Sequence, residues 1–276
     1  MKIGVIGAGT MGAGIATACL AVGDEVVSVE ANAGQTAKAH GLIENSLERL
    51  AKKNDAIDVG VCMGRLEQVE APDATVGCGV VIEAIPEILE AKQDLFAALD
   101  SLHGPEVILG TNTSSLSIDK IAEKASNPGR VVGTHFFNPV PVSLLVEVVA
   151  GPRTDDAIVD AAVSYAERLG KSPIVVKDSP GFASSRLGLA LGLEAIRMVE
   201  DGVASPSDID KAMALGYRHP MGPLKLTDLV GLDVRLGIAQ YLESQLGERF
   251  SPPQLLIDMV AEGKLGKKVG VGFYEW

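Results

Sequence analysis

Lys2-Ile3-Gly4-Val5-Ile6-Gly7-Ala8-Gly9-Thr10-Met11-Gly12 decides the fold. A short apolar run, the length of one buried strand, ends in a glycine-rich turn, and residues 10–22 read as a helix. Gly7 permits the tight turn, Gly9 lets the backbone approach a pyrophosphate, and Gly12 lets helix pack on strand. Thr10 and Met11 open the helix, where unpaired N–H groups and the dipole favour a phosphate. A second strand follows, Glu25-Val26-Val27-Ser28-Val29, and Glu30 ends it 18 residues after Gly12. A carboxylate there accepts the ribose hydroxyls and repels a 2′-phosphate, so NAD is predicted over NADP. A plain turn can share the glycine pattern, and a solvated strand end can carry a glutamate; the flanking strand and helix are what make the motif specific.

The alternation continues outward. Residues 32–53 read as a long amphipathic helix, with Leu42, Ile43, Leu47 and Leu50 at helical spacing. A shorter helical piece ending near Gly64 and a strand at 66–69 follow, so about 32–70 is a helical insertion. Strand-like runs recur at 79–84, 106–110, 130–135, 144–149 and 173–177, with helical patterns at 88–102, 117–125 and 155–169. This predicts a mainly parallel sheet covered on both faces. The run at 144–149 follows Asn138-Pro139-Val140-Pro141 too closely for a crossover helix, so it should lie antiparallel to 131–135. Past Asp178-Ser179-Pro180-Gly181 the texture turns helical: 181–201, 206–215, 223–230, 231–247 and 253–262, with one short strand at 272–274. Ser205-Pro206-Ser207-Asp208 is a helix start signal. The fold class is therefore α/β, a Rossmann-type doubly wound sheet over 1–179 followed by an all-α domain over 180–276.

Composition narrows the function. The chain has 276 residues, is 47% hydrophobic and carries a net charge of −12, which argues against nucleic acid or an anionic membrane as partner. An anionic ligand must be held by local donors. Cys19, Cys62 and Cys78 are too few and scattered for a disulfide framework, and no Cys/His cluster has metal-ligand spacing; free thiols and a cytoplasmic location are expected, with no metal. The five glycines within residues 1–22 argue against a signal peptide, and no other stretch is apolar enough to span a bilayer.

Three polar residues lie at or just after strands: Ser114 in Thr111-Asn112-Thr113-Ser114-Ser115, His135 in His135-Phe136-Phe137-Asn138-Pro139, and Glu147 in Leu144-Leu145-Val146-Glu147-Val148-Val149. Oxidising an alcohol needs a proton acceptor beside a hydride acceptor, and imidazole suits the first task. A carboxylate on the other ring nitrogen fixes the tautomer and stabilises the imidazolium. Antiparallel pairing of 131–135 with 144–149 would bring Glu147 to His135. Each residue alone has an ordinary explanation: a structural histidine, a strand glutamate paired with any cation, serines capping the helix near 117. Together, after strands of a nucleotide-binding sheet, they form a candidate catalytic set. Lys38, Lys52 and Lys53 could meet ligand phosphates or simply be a solvated helix face. His40, His103 and His219 have no partner pattern and read as structural or exposed.

With these motifs assembled, the chain resembles the L-3-hydroxyacyl-CoA dehydrogenase family, of the 3-hydroxybutyryl-CoA type. The likeness runs on through Asp178-Ser179-Pro180-Gly181-Phe182, Met221-Gly222-Pro223-Leu224 and Gly266-Lys267-Lys268-Val269-Gly270-Val271-Gly272-Phe273-Tyr274. The resemblance implies NAD-dependent oxidation of a 3-hydroxyacyl-CoA, with His135 as base and Glu147 as its orienting acid. It implies that Ser114 and Asn112 lie near the reacting groups, that Glu87, Lys92 and Asn138 contact the cofactor, and that Ser46 and Lys53 reach the coenzyme A portion. It further implies a homodimer formed through the C-terminal helices. Two positions depart from the family's pattern: Ser185 stands where an active-site Asn is common, and Leu144 where many relatives carry Lys. These bear on substrate preference rather than reaction class. Two other readings remain: a dehydrogenase of a free hydroxy acid, and a non-catalytic NAD-binding relative.

Overall fold

β1 (Lys2–Ile6) runs through the middle of an eight-stranded sheet, and four of its five residues are buried. A computed structural model describes residues Met1–Trp276, which fall into two units, Met1–Ser179 and Pro180–Trp276. In the first unit β1 is followed by α1 (Thr10–Ala21), β2 (Glu25–Val29), α2 (Ala33–Ala51), α3 (Val59–Met63), β3 (Leu66–Val69), β4 (Val80–Glu83), α4 (Leu89–Leu102), β5 (Ile108–Thr111), α5 (Ile118–Ile121), β6 (Val131–Phe136), β7 (Leu145–Ala150), α6 (Asp156–Arg168) and β8 (Ser172–Lys177). The sheet order is β3-β2-β1-β4-β5-β6-β7-β8. Every pairing is parallel except β6 with β7, which is antiparallel. The strand order reverses between β1 and β4, and ligands in open α/β sheets bind at such a switch point, beyond the carboxyl ends of the strands.

Local chemistry sets the elements. Asn32 caps α2 by accepting from the Gln35 N–H at 3.1 Å, and Asp58 caps α3 by accepting from Val61 at 2.9 Å. Ile43 and Leu47, one turn apart on α2, are fully buried against the core that includes Ile15, Cys19 and Leu20 of α1. The predicted helix at 117–125 is shorter: α5 ends at Ile121 and tightens into a 3₁₀ turn over Ala122–Lys124. Neither Ser114 nor Ser115 caps it; Ser117 does, accepting from Lys120 N.

The second unit is built from α7 (Ser184–Glu200), α8 (Pro206–Lys211), α9 (Pro223–Val230), α10 (Leu232–Leu246) and α11 (Gln254–Ala261), around Leu189, Leu193, Leu224, Leu232, Leu242 and Leu256. Ser205 caps α8 as its sequence indicated, but the helix stops at Lys211 and the chain widens into a π turn over Ala212–Gly216. The strand expected at 272–274 is absent. Isolated bridges at Val271 and Glu275 flank that segment, and a side chain takes up its amides: Asp228 accepts from Phe273 N and Tyr274 N, and also from the Trp276 indole Nε1. No helix is long and apolar enough to cross a membrane.

Candidate active site

The glycine turn is built for a phosphate. Gly7 has φ +85°, a conformation that L side chains avoid. A Cβ on Gly12 would stand 1.9 Å from the Gly7 carbonyl oxygen, so only glycine lets α1 start this close to β1. Gly9 has nothing within 4 Å of its Cβ position, leaving the approach to the helix N-terminus open. Glu30, buried at the end of β2, accepts from the Ala8 N–H and lines, with Gly7, Gly9, Thr10 and Met11, a cavity of about 680 Å3. Its opposite wall is Ala84, Ile85 and Pro86, just past β4. The open glycine, the N–H groups and the buried carboxylate at the ribose position fit a dinucleotide.

A second cavity, about 350 Å3, shares Met11, Ala84, Ile85 and Pro86 with the first, and adds Glu87, Asn112, Ser114, His135, Phe137 and Asn138. The antiparallel register of β6 and β7 sets Glu147 directly opposite His135. Their side chains meet at 2.7 Å between Nδ1 and Oε2; Glu147 is fully buried and His135 nearly so. Asn112 is anchored to the same strand, its Oδ1 accepting from Phe136 N at 2.9 Å.

The loops after β4 and β5 are stitched together by charge. Glu83, fully buried, accepts from Lys92 Nζ at 2.5 Å, from Ile85 N at 2.7 Å and from Thr111 Oγ1 at 2.7 Å. Burial pushes the Glu83 carboxyl up from its ordinary value, with Lys92 pulling the other way. Lys92 also stands 3.3 Å from Glu87, whose other oxygen accepts from Ser114 N (2.7 Å), Thr113 Oγ1 (2.9 Å) and Ser114 Oγ (3.3 Å). Ser114 is thus held from outside by Glu87. Lys92, predicted as a cofactor contact, is 1% exposed with its ammonium engaged by Glu83, Glu87 and the Ile85 carbonyl. Its geometry suits it to bracing this wall. Lys92→Met should destabilise the fold by about 3–5 kcal/mol, because it strands a buried carboxylate. The loss should shrink in acid as Glu83 takes up a proton, and urea unfolding midpoints at pH 5 and pH 8 would measure both effects.

Ser46 lines a third cavity, about 320 Å3, with Thr10, Asn45, Arg49 and the Asn138–Pro141 turn. Lys53 does not line it; it lies in solvent past the end of α2. The basic residue at that cavity is Arg49, one turn after Ser46 on the same face of α2. Glu83 and Thr111 were not among the candidates, although Val80-Val81-Ile82-Glu83 carries the signal used for Glu30, an acid at the end of a buried apolar run. Ser185 lies in the first turn of α7, half-buried, and Leu144 is 64% exposed. His40 and His103 are partnered side chains, on Gln68 (2.8 Å) and Thr75 (3.0 Å).

Residues 2–179 match the family described as "3-hydroxyacyl-CoA dehydrogenase, NAD binding domain", and residues 181–276 match "3-hydroxyacyl-CoA dehydrogenase, C-terminal domain". Among curated relatives, a "Probable 3-hydroxybutyryl-CoA dehydrogenase" of Deinococcus radiodurans is 42% identical over the whole of both chains. The human "Hydroxyacyl-coenzyme A dehydrogenase, mitochondrial" is 41% identical over 99% of this chain and 90% of its own. Among solved structures, the (S)-3-hydroxybutyryl-CoA dehydrogenase of Ralstonia eutropha superposes with a TM-score of 0.95 at 40% identity, covering 100% of this chain and 98% of that one.

Proposed function

Since the chain belongs to the 3-hydroxyacyl-CoA dehydrogenase family, we propose that it interconverts a short-chain L-3-hydroxyacyl-CoA and its 3-ketoacyl-CoA with NAD. The observation that carries this reading is the buried His135–Glu147 pair, placed in a cavity continuous in its lining with the one over the glycine turn. NAD, when bound, supplies the hydride acceptor. Gly7, Gly9, Thr10, Met11 and Gly12 would hold its pyrophosphate, and Glu30 its ribose.

In oxidation His135 takes the hydroxyl proton at Nε2 while Nδ1–H stays on Glu147; in reduction it returns that proton. Glu147 keeps the ring in one tautomer and stabilises it when cationic. Ser114 and Asn112 hold the reacting oxygens, Ser185 contacts the acyl group, and Ser46, with Arg49 beside it, receives the coenzyme A portion. Lys53 and Asn138 belong to the same reading, as further coenzyme A and cofactor contacts. The protein works in the cytoplasm as a homodimer joined through the helical unit, where Leu187, Leu215 and Tyr217 are each at least 70% exposed.

Purified protein should oxidise NADH with acetoacetyl-CoA, and NADPH at least about tenfold less efficiently, because Glu30 repels a 2′-phosphate. Turnover of free acetoacetate but not of the ester would instead make it a hydroxy-acid dehydrogenase. NADH binding with neither turnover would make it a non-catalytic relative.

A further inference from the structure

Lys171 is 8% exposed, and its ammonium meets no carboxylate. Burial holds its pKa below the ordinary lysine value. A charge is expensive to bury in this way unless oxygens receive it. Two carbonyls do: Nζ donates to Val140 O at 2.5 Å and to Ser143 O at 2.8 Å, 31 and 28 residues earlier in the chain. The base of the side chain is fixed as well. Gly170, at φ +72°, closes α6, its N–H donating to Glu167 O at 2.8 Å and the Lys171 N–H to Ala166 O at 3.1 Å. Ser172 N–H then pairs with Leu144 O at 2.7 Å, so the lysine starts beside the end of the turn it holds.

That turn links β6 to β7 and forms walls of two cavities. Asn138 lines the cavity that contains His135, and Asn138–Pro141 line the one that contains Ser46 and Arg49. The turn is poor in donors of its own. Pro139 and Pro141 have no N–H, while Val142 N and Ser143 N both turn inward to Pro139 O, at 3.1 and 2.9 Å. Anchorage to the rest of the fold therefore falls to its carbonyls, and Lys171 supplies the donor. On its other side Val140 is 2% exposed and packs on α1, its Cβ 3.0 Å from the Cβ position of Gly14. The turn is wedged between α1 and the corner that joins α6 to β8. None of its residues lines the cavity over the glycine loop.

We propose that Lys171 is a positioning residue for the acyl-CoA. By tying the 138–143 turn to the α6–β8 corner, it sets the wall that receives the coenzyme A portion in register with the His135–Glu147 pair. The proposal rests on the acyl-CoA reading above and names the residue that aligns its two cavities. A methionine at 171 would fill a similar length but leave two carbonyls without a donor, and the turn would be free to draw away. A misplacement of about 1 Å can cost about a hundredfold in rate.

The test compares acetoacetyl-CoA with acetoacetyl-pantetheine, which has the same reacting end and lacks the phosphorylated nucleotide, by the ratio of their kcat/KM with NADH. Both values come from one sample, so the ratio is blind to a loss of folded protein, the effect a merely structural lysine would have. The wild-type ratio should favour the full ester by about tenfold to a hundredfold, because binding energy from the remote part of a substrate is spent on the reacting end. Lys171→Met should bring the ratio below about threefold, with a raised KM for the CoA ester, and Lys171→Arg, which keeps the charge and the donors, should restore most of it. A wild-type ratio of one overturns the proposal whether or not any variant folds. A wild-type ratio retained in Lys171→Met overturns it too; if that variant does not fold, Lys171→Gln, whose shorter neutral amide cannot replace the ammonium, decides by the same ratio. Turnover with an unchanged ratio sinks this inference alone; no turnover of either ester sinks the acyl-CoA reading with it.

Discussion

His135→Ala should abolish reduction of acetoacetyl-CoA, by about 10²–10⁴ in kcat from loss of the positioned acid–base group alone, while NADH still binds. The two effects separate because the imidazole lies in the smaller cavity, away from the glycine turn. Glu147→Gln is the companion change. It keeps the shape of the pair, but an amide can face Nδ1 with either its oxygen or its NH2, so the tautomer is no longer enforced. Single-turnover reduction should slow in both variants, with the glutamine variant intermediate. Fluorescence titration with NADH should show affinity within about threefold of wild type, a shift under 1 kcal/mol. Normal turnover in His135→Ala would remove it from the mechanism.

Gly12→Ala and Gly9→Ala should fail in different ways. The new methyl at position 12 would stand 1.9 Å from the Gly7 carbonyl oxygen, and a backbone atom cannot swing aside as a side chain can. The turn must open, so Gly12→Ala should lower the melting temperature without ligand and weaken NADH binding by about a hundredfold or more, near 3 kcal/mol. At position 9 the methyl meets nothing. Gly9→Ala should therefore melt like wild type and lose affinity only, because the methyl occupies space the pyrophosphate needs. Thermal melts beside NADH titrations would distinguish them. A Gly12→Ala protein with wild-type melting and affinity would show that the turn relaxes at no cost.

What could be read in advance was whatever leaves a periodic or positional trace. The strand–glycine–helix opening, the alternation of strands and helices, and the short link that reverses β7 all follow from spacing, and the reversal places Glu147 opposite His135. The brace of Glu83, Lys92 and Thr111 was not legible as a unit, because its members come from β4, α4 and β5 and are joined only when the sheet forms. Arg49 was not legible because chain position shows which residues are basic, not which of them line a cavity; it stands one turn after Ser46 on α2, whereas Lys53 lies past the helix end at Ala51. Gly272-Phe273-Tyr274 reads as a short strand, whereas Asp228, more than forty residues earlier, takes up the amides of Phe273 and Tyr274. Buried carboxylates that organise backbone from a distance are the recurring blind spot.

The reversal of β7 also bears on timing. His135 and Glu147 face each other as direct partners across one antiparallel ladder, within a sheet whose central strands are buried. Loops that admit ligands can open and close without changing the spacing of the pair. The proton-handling machinery is therefore preorganised, and none of the reorganisation energy of the chemical step is spent assembling it. In such a design, loop motions should govern how often substrate arrives and product leaves, and slowing them should change the turnover rate without altering the intrinsic rate of proton transfer.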